Sequence, residues 1–427
     1  MARQRVKRLR LALCCLGLAL TTLARGEDVP ASSVLPVPEG IPSFATVRAD
    51  WQASDWLLTD RQGVIMQRVR RDSHGRRLAW VRLEDLSPVM VAALLSAEDK
   101  RFYEHGGVDW LAVARAAFDR VAASAGSARD ERKNRNERNE SGASTLTMQL
   151  AALLDPALRP APKQRRDWHQ KWDQARAAWR IEREWSKAQI LEAYLNLVPL
   201  RGETVGIAAA SEFWFGKSPA GLDLAEAALL SALIRQPQAG PDRVGERACA
   251  ILAGLSAVSM PGVVLPVRPD CPALRQLARV NLAAPGRGRM RNQSMPHAAR
   301  RVLAELDADA GAVSFFSHVE GGEPRLRTTL DARLQDFARD RLTQQLRELA
   351  GRNVEDGALV VVDNATGEVL AWVGSSGSLS EAAQVDGVTA LRQAGSTLKP
   401  FLYGLAIERR LLTAASLVDD SPLALTA

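Results

Sequence analysis

Apolar and polar positions are arranged differently along successive stretches of the chain, and each arrangement predicts a different element. Residues 11–24 are an uncharged apolar run directly behind a basic start. Residues 27–45 are rich in Pro and Ser and predict a linker. Around 56–66, two apolar runs flank the polar turn Asp60-Arg61-Gln62-Gly63, which predicts a short hairpin. From Met90 to Ser231 the pattern is mostly helical, with two breaks. The first, residues 124–141, is a mixed-charge run of Arg, Asp, Glu, Lys and Asn that predicts a solvated, mobile loop. The second, residues 155–163, contains three prolines, which must interrupt a helix. Residues 236–301 are rich in Pro, Gly and Arg and predict an irregular connector. Residues 358–374 return to β-rich runs around a Gly-containing turn, a second hairpin.

Composition narrows the class. The 427 residues suffice for two or three domains, and 46% hydrophobic with 25% charged residues describe an ordinary globular chain. General disorder and a polytopic membrane protein are excluded. The net charge of +7, mostly Arg, fits nucleic acid, an anionic membrane surface or a pyrophosphate substrate equally well. The N-terminus decides among these partners. Arg3, Arg5, Lys7, Arg8 and Arg10 precede the apolar run in the order of an export signal, which sets the bulk of the chain outside the cytoplasm and away from nucleic acid. The run is shorter than the ~20 residues of a comfortable transmembrane helix, so length alone suggests a cleaved signal, with small residues at Ala24 and Gly26. Cys14 and Cys15 lie inside this run. Cys249 and Cys271 remain, either as a disulfide in an oxidising compartment or as two buried thiols.

Two polar clusters interrupt the helical region. The first runs Ala97-Glu98-Asp99-Lys100-Arg101-Phe102-Tyr103-Glu104-His105-Gly106-Gly107-Val108-Asp109, and the second Gly142-Ala143-Ser144-Thr145-Leu146-Thr147-Met148-Gln149. Glu98 follows the apolar Val91-Ala92-Ala93-Leu94-Leu95, where burial favours a carboxylate able to take a proton. In isolation it would be a helix-end carboxylate in a surface ion pair. His105 has no second His or Cys at ligand spacing, so a protein-built metal site is not expected. It reads instead as fixing the loop before Gly106 and Gly107, which permit a tight turn. Ser144 or Thr145 can cap the helix that follows, but capping explains one hydroxyl and leaves the rest of the set.

Together the clusters resemble the first two motifs of the peptidoglycan glycosyltransferases found in class A penicillin-binding proteins. A third cluster, Lys171-Trp172-Asp173-Gln174 and Arg180 to Asn196, resembles that family's long helix and the Ser-Lys-x-x-Ile-Leu-Glu-x-Tyr-Leu-Asn run that closes it. The likeness continues through Gly206-Ile207-Ala208 and Phe213-Trp214-Phe215-Gly216, covering about residues 79–243. It implies Glu98 as general base, with Asp99, Phe102, His105, Ser144, Thr145, Thr147, Gln149, Lys171, Gln174 and Asn196 lining the site for the glycan and pyrophosphate of lipid II. Lys171 would neutralise the leaving pyrophosphate. This chain departs from the pattern at Gln170 and Gln174, where the family has Arg and a second Glu. The type C branch also tends to have Gln at the latter place. The amide weakens any Mg²⁺ site, so a cation would arrive only through the substrate pyrophosphate. The resemblance also implies that the N-terminal run stays as a single-pass inner-membrane anchor with the catalytic domains in the periplasm. The implied partners are lipid II, the nascent glycan strand and other cell-wall synthesis proteins.

A second module begins near Leu326-Arg327-Thr328-Thr329-Leu330-Asp331 and resembles the opening of a penicillin-binding transpeptidase domain. It holds Gly395-Ser396-Thr397-Leu398-Lys399, whose spacing places Lys399 one turn beyond a nucleophilic Ser396. No lysine follows Lys399, so Lys-Thr-Gly is missing, as is Ser-x-Asn. The chain is therefore expected to be truncated within this module. The expected organisation is multidomain. Residues 1–26 form the basic and apolar segment, 27–78 a linker and hairpin, and 79–243 a mainly α, lysozyme-like glycosyltransferase domain. An interdomain connector spans 244–325, and an incomplete α/β, β-lactamase-like transpeptidase domain spans 326–427. A lysozyme-like hydrolase using Glu98 as acid, and a non-catalytic cell-wall scaffold, are the rival readings. Because acylation also needs oxyanion donors and a strand for the β-lactam, Ser396 of this chain should not be labelled by a fluorescent penicillin. Stoichiometric, Ser396-dependent labelling on a gel would contradict this.

Overall fold

The computed structural model describes residues 40–115, 118, 144–159, 168–255, 269–282, 294–308, 316–317 and 322–419. The N-terminal apolar run and the loop at 124–141 lie outside them. In chain order the elements begin with α1 (Phe44–Ala49), β1 (Asp55–Thr59), β2 (Ile65–Arg70) and α2 (Pro88–Glu98). There follow α3 (Leu146–Leu154), α4 (Trp168–Glu184), α5 (Lys187–Leu197), α6 (Gly206–Phe215) and α7 (Leu224–Arg235). Next come α8 (Pro241–Ala253), α9 (Cys271–Leu282), α10 (Pro296–Ala308), β3 (Phe316–Ser317) and β4 (Arg325–Arg327). The last are α11 (Ala332–Glu348), β5 (Leu359–Val362), β6 (Val369–Val373) and α12 (Lys399–Glu408). Two compact units divide the chain: Met1–Val47 with Glu98–Tyr194, and Arg48–Ala97 with Leu195–Ala427.

In the first unit α3 packs on α4, and Met148 meets Ala175 and Ala178 with Val108 beside them. The alanines let the two helices come close. Gly107 uses the same opening, because at φ +94° a Cβ would press on the Ala178 backbone at 3.0 Å. Gln189 and Ser186 exchange hydrogen bonds with each other's backbone N–H groups at the start of α5, a capping box that ends α4 and restarts the chain as α5.

The second unit holds both sheets. The predicted hairpin forms as β1 and β2, its turn held by Asp60 Oδ1, which accepts from the N–H groups of Gln62 and Val64 at 2.8 Å each. It does not stand alone. β1 also pairs in parallel with β4, giving the order β2-β1-β4-β3, so Leu58 lies opposite Leu326. Both leucines, with Met66 and Leu330, pack against Met295, Ala298 and Ala299 at the start of α10. The second predicted hairpin forms as β5 and β6. α11 lies over it, with Gln335 bonded to both the N–H and the carbonyl of Trp372 and Ala338 against Ala371 and Val373.

One expectation is corrected. Residues 236–301 are not an irregular connector, since α8, α9 and the start of α10 fall within them. The prolines misled because Pro241, Pro272 and Pro296 occupy the first or second positions of these helices, where a missing N–H removes no intrahelical bond. α8 and α9 cross closely at Gly245, whose missing side chain leaves room for the Arg275 backbone. Cys249 and Cys271 are joined in a disulfide between the same two helices, with their Cα atoms 5.3 Å apart. The bond closes a loop over a sequence separation of 22, so removing it should free the unfolded chain by about 3 kcal/mol. Replacing both cysteines by serine is expected to lower the urea midpoint accordingly. An unchanged midpoint would show that the helix crossing alone holds this region.

Candidate active site

The candidate site residues of the first unit are placed by a loop that folds back on itself immediately after α2. Glu98 is the last residue of this helix and Asp99 the first beyond it. The buried Asp99 carboxylate accepts from His105 Nε2 at 3.0 Å and from the backbone N–H of Leu146 at 3.0 Å, joining the loop to the first turn of α3. Arg101 and Asp109 form a two-pronged ion pair across the same loop. Asp109 also accepts from the N–H of Ala112 at 2.9 Å. Burial pushes the Asp109 carboxyl up, but the Arg101 guanidinium and the Ala112 N–H outweigh it and hold the group below the usual carboxylate range. Phe102 is buried beneath this loop, and Lys187 Nζ sits 4.2 Å above its ring.

α3 is capped by Thr145, whose Oγ1 accepts from the N–H of Met148 at 3.2 Å and donates to the Gly107 carbonyl at 2.5 Å. One turn on, buried Thr147 donates to Glu182 Oε1 at 2.6 Å. Glu182 also takes a bond from Lys187 Nζ at 2.8 Å, and the same ammonium donates to the His105 carbonyl at 2.6 Å. Gln149 projects toward the end of α2, and its Nε2 donates to Glu98 Oε2 at 2.9 Å. Its Oε1 accepts from the hydroxyl of Tyr194 on α5 at 2.8 Å.

Several residues expected to face substrate are interior. Asp99, Phe102, Thr145 and Thr147 are buried and fix the loop or the helices. Gln174 is 3% exposed and donates from Nε2 to the Leu158 carbonyl at 2.7 Å, closing the turn after α3. In the second unit, Asn196 is 1% exposed and its amide both accepts from and donates to the Val81 backbone. Glu98, Ser144, Gln149 and Lys171 keep partial exposure. His105 is pinned by Asp99, which agrees with the loop-fixing reading. Trp110, Trp172 and Trp179 form an aromatic cluster beside Lys171 on α4, with Trp110 and Trp172 half exposed.

Glu182, Lys187 and Tyr194 had no assigned role in the sequence reading. The signal lay in the third cluster itself, which contains all three, but their partners are on α3 and in the loop after α2. Ser396 lies in a short 3₁₀ turn, Gly395–Leu398, and Lys399 opens α12; both are exposed, and no hydrogen bond joins them among the described residues. Among the described residues no group of three His, Cys, Asp or Glu is placed to hold a metal ion.

Two regions of the chain match known protein families. Residues 62–256 match the Transglycosylase family, and residues 357–426 match the Penicillin binding protein transpeptidase domain family. Penicillin-binding protein 1C of Escherichia coli (strain K12) is 35% identical over 348 residues, covering 80% of this chain and 39% of that protein. Penicillin-binding protein 2D of Bacillus subtilis (strain 168) is 30% identical over 343 residues, covering 79% of this chain and 45% of that one. The fold and the site define a mainly helical transglycosylase domain followed by a sheet-containing penicillin-binding region. The chain belongs to the class A penicillin-binding proteins. It spans less than half the length of these two relatives.

The Gln174 geometry makes a prediction. Gln174→Glu removes the donor to the Leu158 carbonyl and buries a carboxylate beside it, so stability should fall by about 2–3 kcal/mol in urea unfolding. Unchanged stability would show that the pocket supplies a cation for the new charge.

Proposed function

We propose that this chain is a peptidoglycan glycosyltransferase that polymerises lipid II into glycan strands. The observation that carries the reading is Glu98 at the end of an apolar helix, its carboxylate oriented by Gln149 on the hydroxyl-rich start of α3. In the reaction, the oxygen of an acceptor sugar hydroxyl forms a bond to the anomeric carbon of the donor. The bond from that carbon to the pyrophosphate breaks, undecaprenyl pyrophosphate leaves with the electron pair, and Glu98 takes the hydroxyl proton. Ser144 and Lys171, both partly exposed, are the groups for the glycan and the departing pyrophosphate. A divalent cation, where present, would come with the pyrophosphate, because Gln174 offers a neutral amide whose nitrogen is held by Leu158.

Gln174 and the similarity to Penicillin-binding protein 1C support the type C branch. The basic start and apolar run support a single-pass inner-membrane anchor with the domains in the periplasm. These residues precede the described ones, in which no helix is long and apolar enough to cross a membrane. The disulfide fits that oxidising side. Other cell-wall synthesis proteins would meet the chain there.

Incubation with labelled lipid II tests the reading: polymer supports it, cleaved glycan indicates a hydrolase, and no product indicates a scaffold. Glu98→Gln should lower polymerisation by ~100–10,000-fold with the fold intact by circular dichroism, because it deletes the base and keeps the shape. Activity within a few-fold of the parent would remove Glu98 from the mechanism.

A further inference from the structure

Tyr194 is 1% exposed at the C-terminal half of α5, and a phenol this deeply buried must place its hydroxyl on a partner. The partner is Gln149 Oε1 at 2.8 Å. The direction of the bonds is settled by the far end of the chain of groups. An ionised Glu98 can only accept, so the Gln149 amide must turn its N–H toward Glu98 and its oxygen away. That oxygen then needs a donor, and Tyr194 supplies it. The reversed amide would present its oxygen to Glu98, which suits only the protonated acid.

We propose that Tyr194 is a positioning residue for the general base: its hydroxyl locks the Gln149 amide in the orientation that directs an N–H at the ionised Glu98 carboxylate. This rests on the reading of Glu98 as base. The relay runs from α5 through α3 to the end of α2, so a buried phenol holds the amide that donates to the reacting carboxylate and favours its ionised form. The neighbouring charges are otherwise engaged. Asp99 accepts from His105 and the Leu146 N–H, Arg101 pairs with Asp109, and Lys187 pairs with Glu182. Gln149 is the neutral amide that joins Tyr194 to Glu98.

The test uses the full chain and the carboxyl ¹³C resonance of Glu98, assigned by its loss in Glu98→Gln. Removing an N–H donor from an ionised carboxylate favours its protonated form, so Tyr194→Phe should raise the titration midpoint by about one pH unit. Gln149→Leu should raise it by a similar amount, and adding Tyr194→Phe to Gln149→Leu should move it no further, since the hydroxyl acts through the amide. With lipid II, Tyr194→Phe should lower kcat about tenfold near neutral pH and leave KM within about twofold, with the acid limb of the rate profile displaced upward. A Tyr194→Phe midpoint equal to that of the parent would overturn the proposal, as would a full shift still present in the Gln149→Leu background. If the midpoints move as stated while the parent makes no polymer, the relay stands and the proposed reaction fails.

Discussion

The Asp99 carboxylate carries the heaviest constraint in the first unit. It is buried, and it accepts at once from a histidine six residues later and from a backbone N–H 47 residues later. A buried carboxylate without such donors would be strongly unfavourable, so the loop after α2 and the start of α3 are held together by the requirement that this charge be satisfied. The consequence falls on its neighbour. With Asp99 tied to Leu146, Glu98 is brought to Gln149, within one turn of the same point on α3. The candidate base is therefore aimed by the residue beside it in sequence.

A second set of polar groups, buried at Thr147 and partly buried at Glu182 and Lys187, supports the first. Thr147, Glu182, Lys187 and the His105 carbonyl form a continuous set in which every bond is between 2.6 and 2.8 Å. Such networks rigidify when complete and fail when one member is lost, because the remainder is left unpaired in a low-dielectric interior. This explains why so many polar residues of the two clusters are interior. They fix the loop and the helices, while Glu98, Ser144, Gln149 and Lys171 keep partial exposure.

The second unit obeys a different constraint. A two-stranded hairpin is marginal alone, and β1 gains a partner from β4, more than 250 residues away, together with the apolar cover of α10. β4 thus completes a sheet begun by β1 and β2.

Much of this was legible in sequence. Helical periodicity, the two hairpins, the Glu98 and Ser144 clusters and the family they belong to are local patterns, and local patterns survive folding because they reflect backbone propensity and one-sided burial. An N-cap at Ser144 or Thr145 and a loop-fixing His105 were likewise readable, and the structure gives the cap to Thr145. What sequence could not show was partnership. Pro241, Pro272 and Pro296 read as part of an irregular connector until their place at helix starts was visible. Asn196 and Gln174 read as substrate contacts, yet each amide is held by a backbone segment remote in sequence, Val81 and Leu158 respectively. Tyr194 read as a position in the third cluster without a role of its own, and its bond to Gln149 is visible only in the folded chain. A polar side chain states what it can bond. Which partner it meets in the interior is decided by the tertiary structure, because desolvation makes every buried donor and acceptor find one.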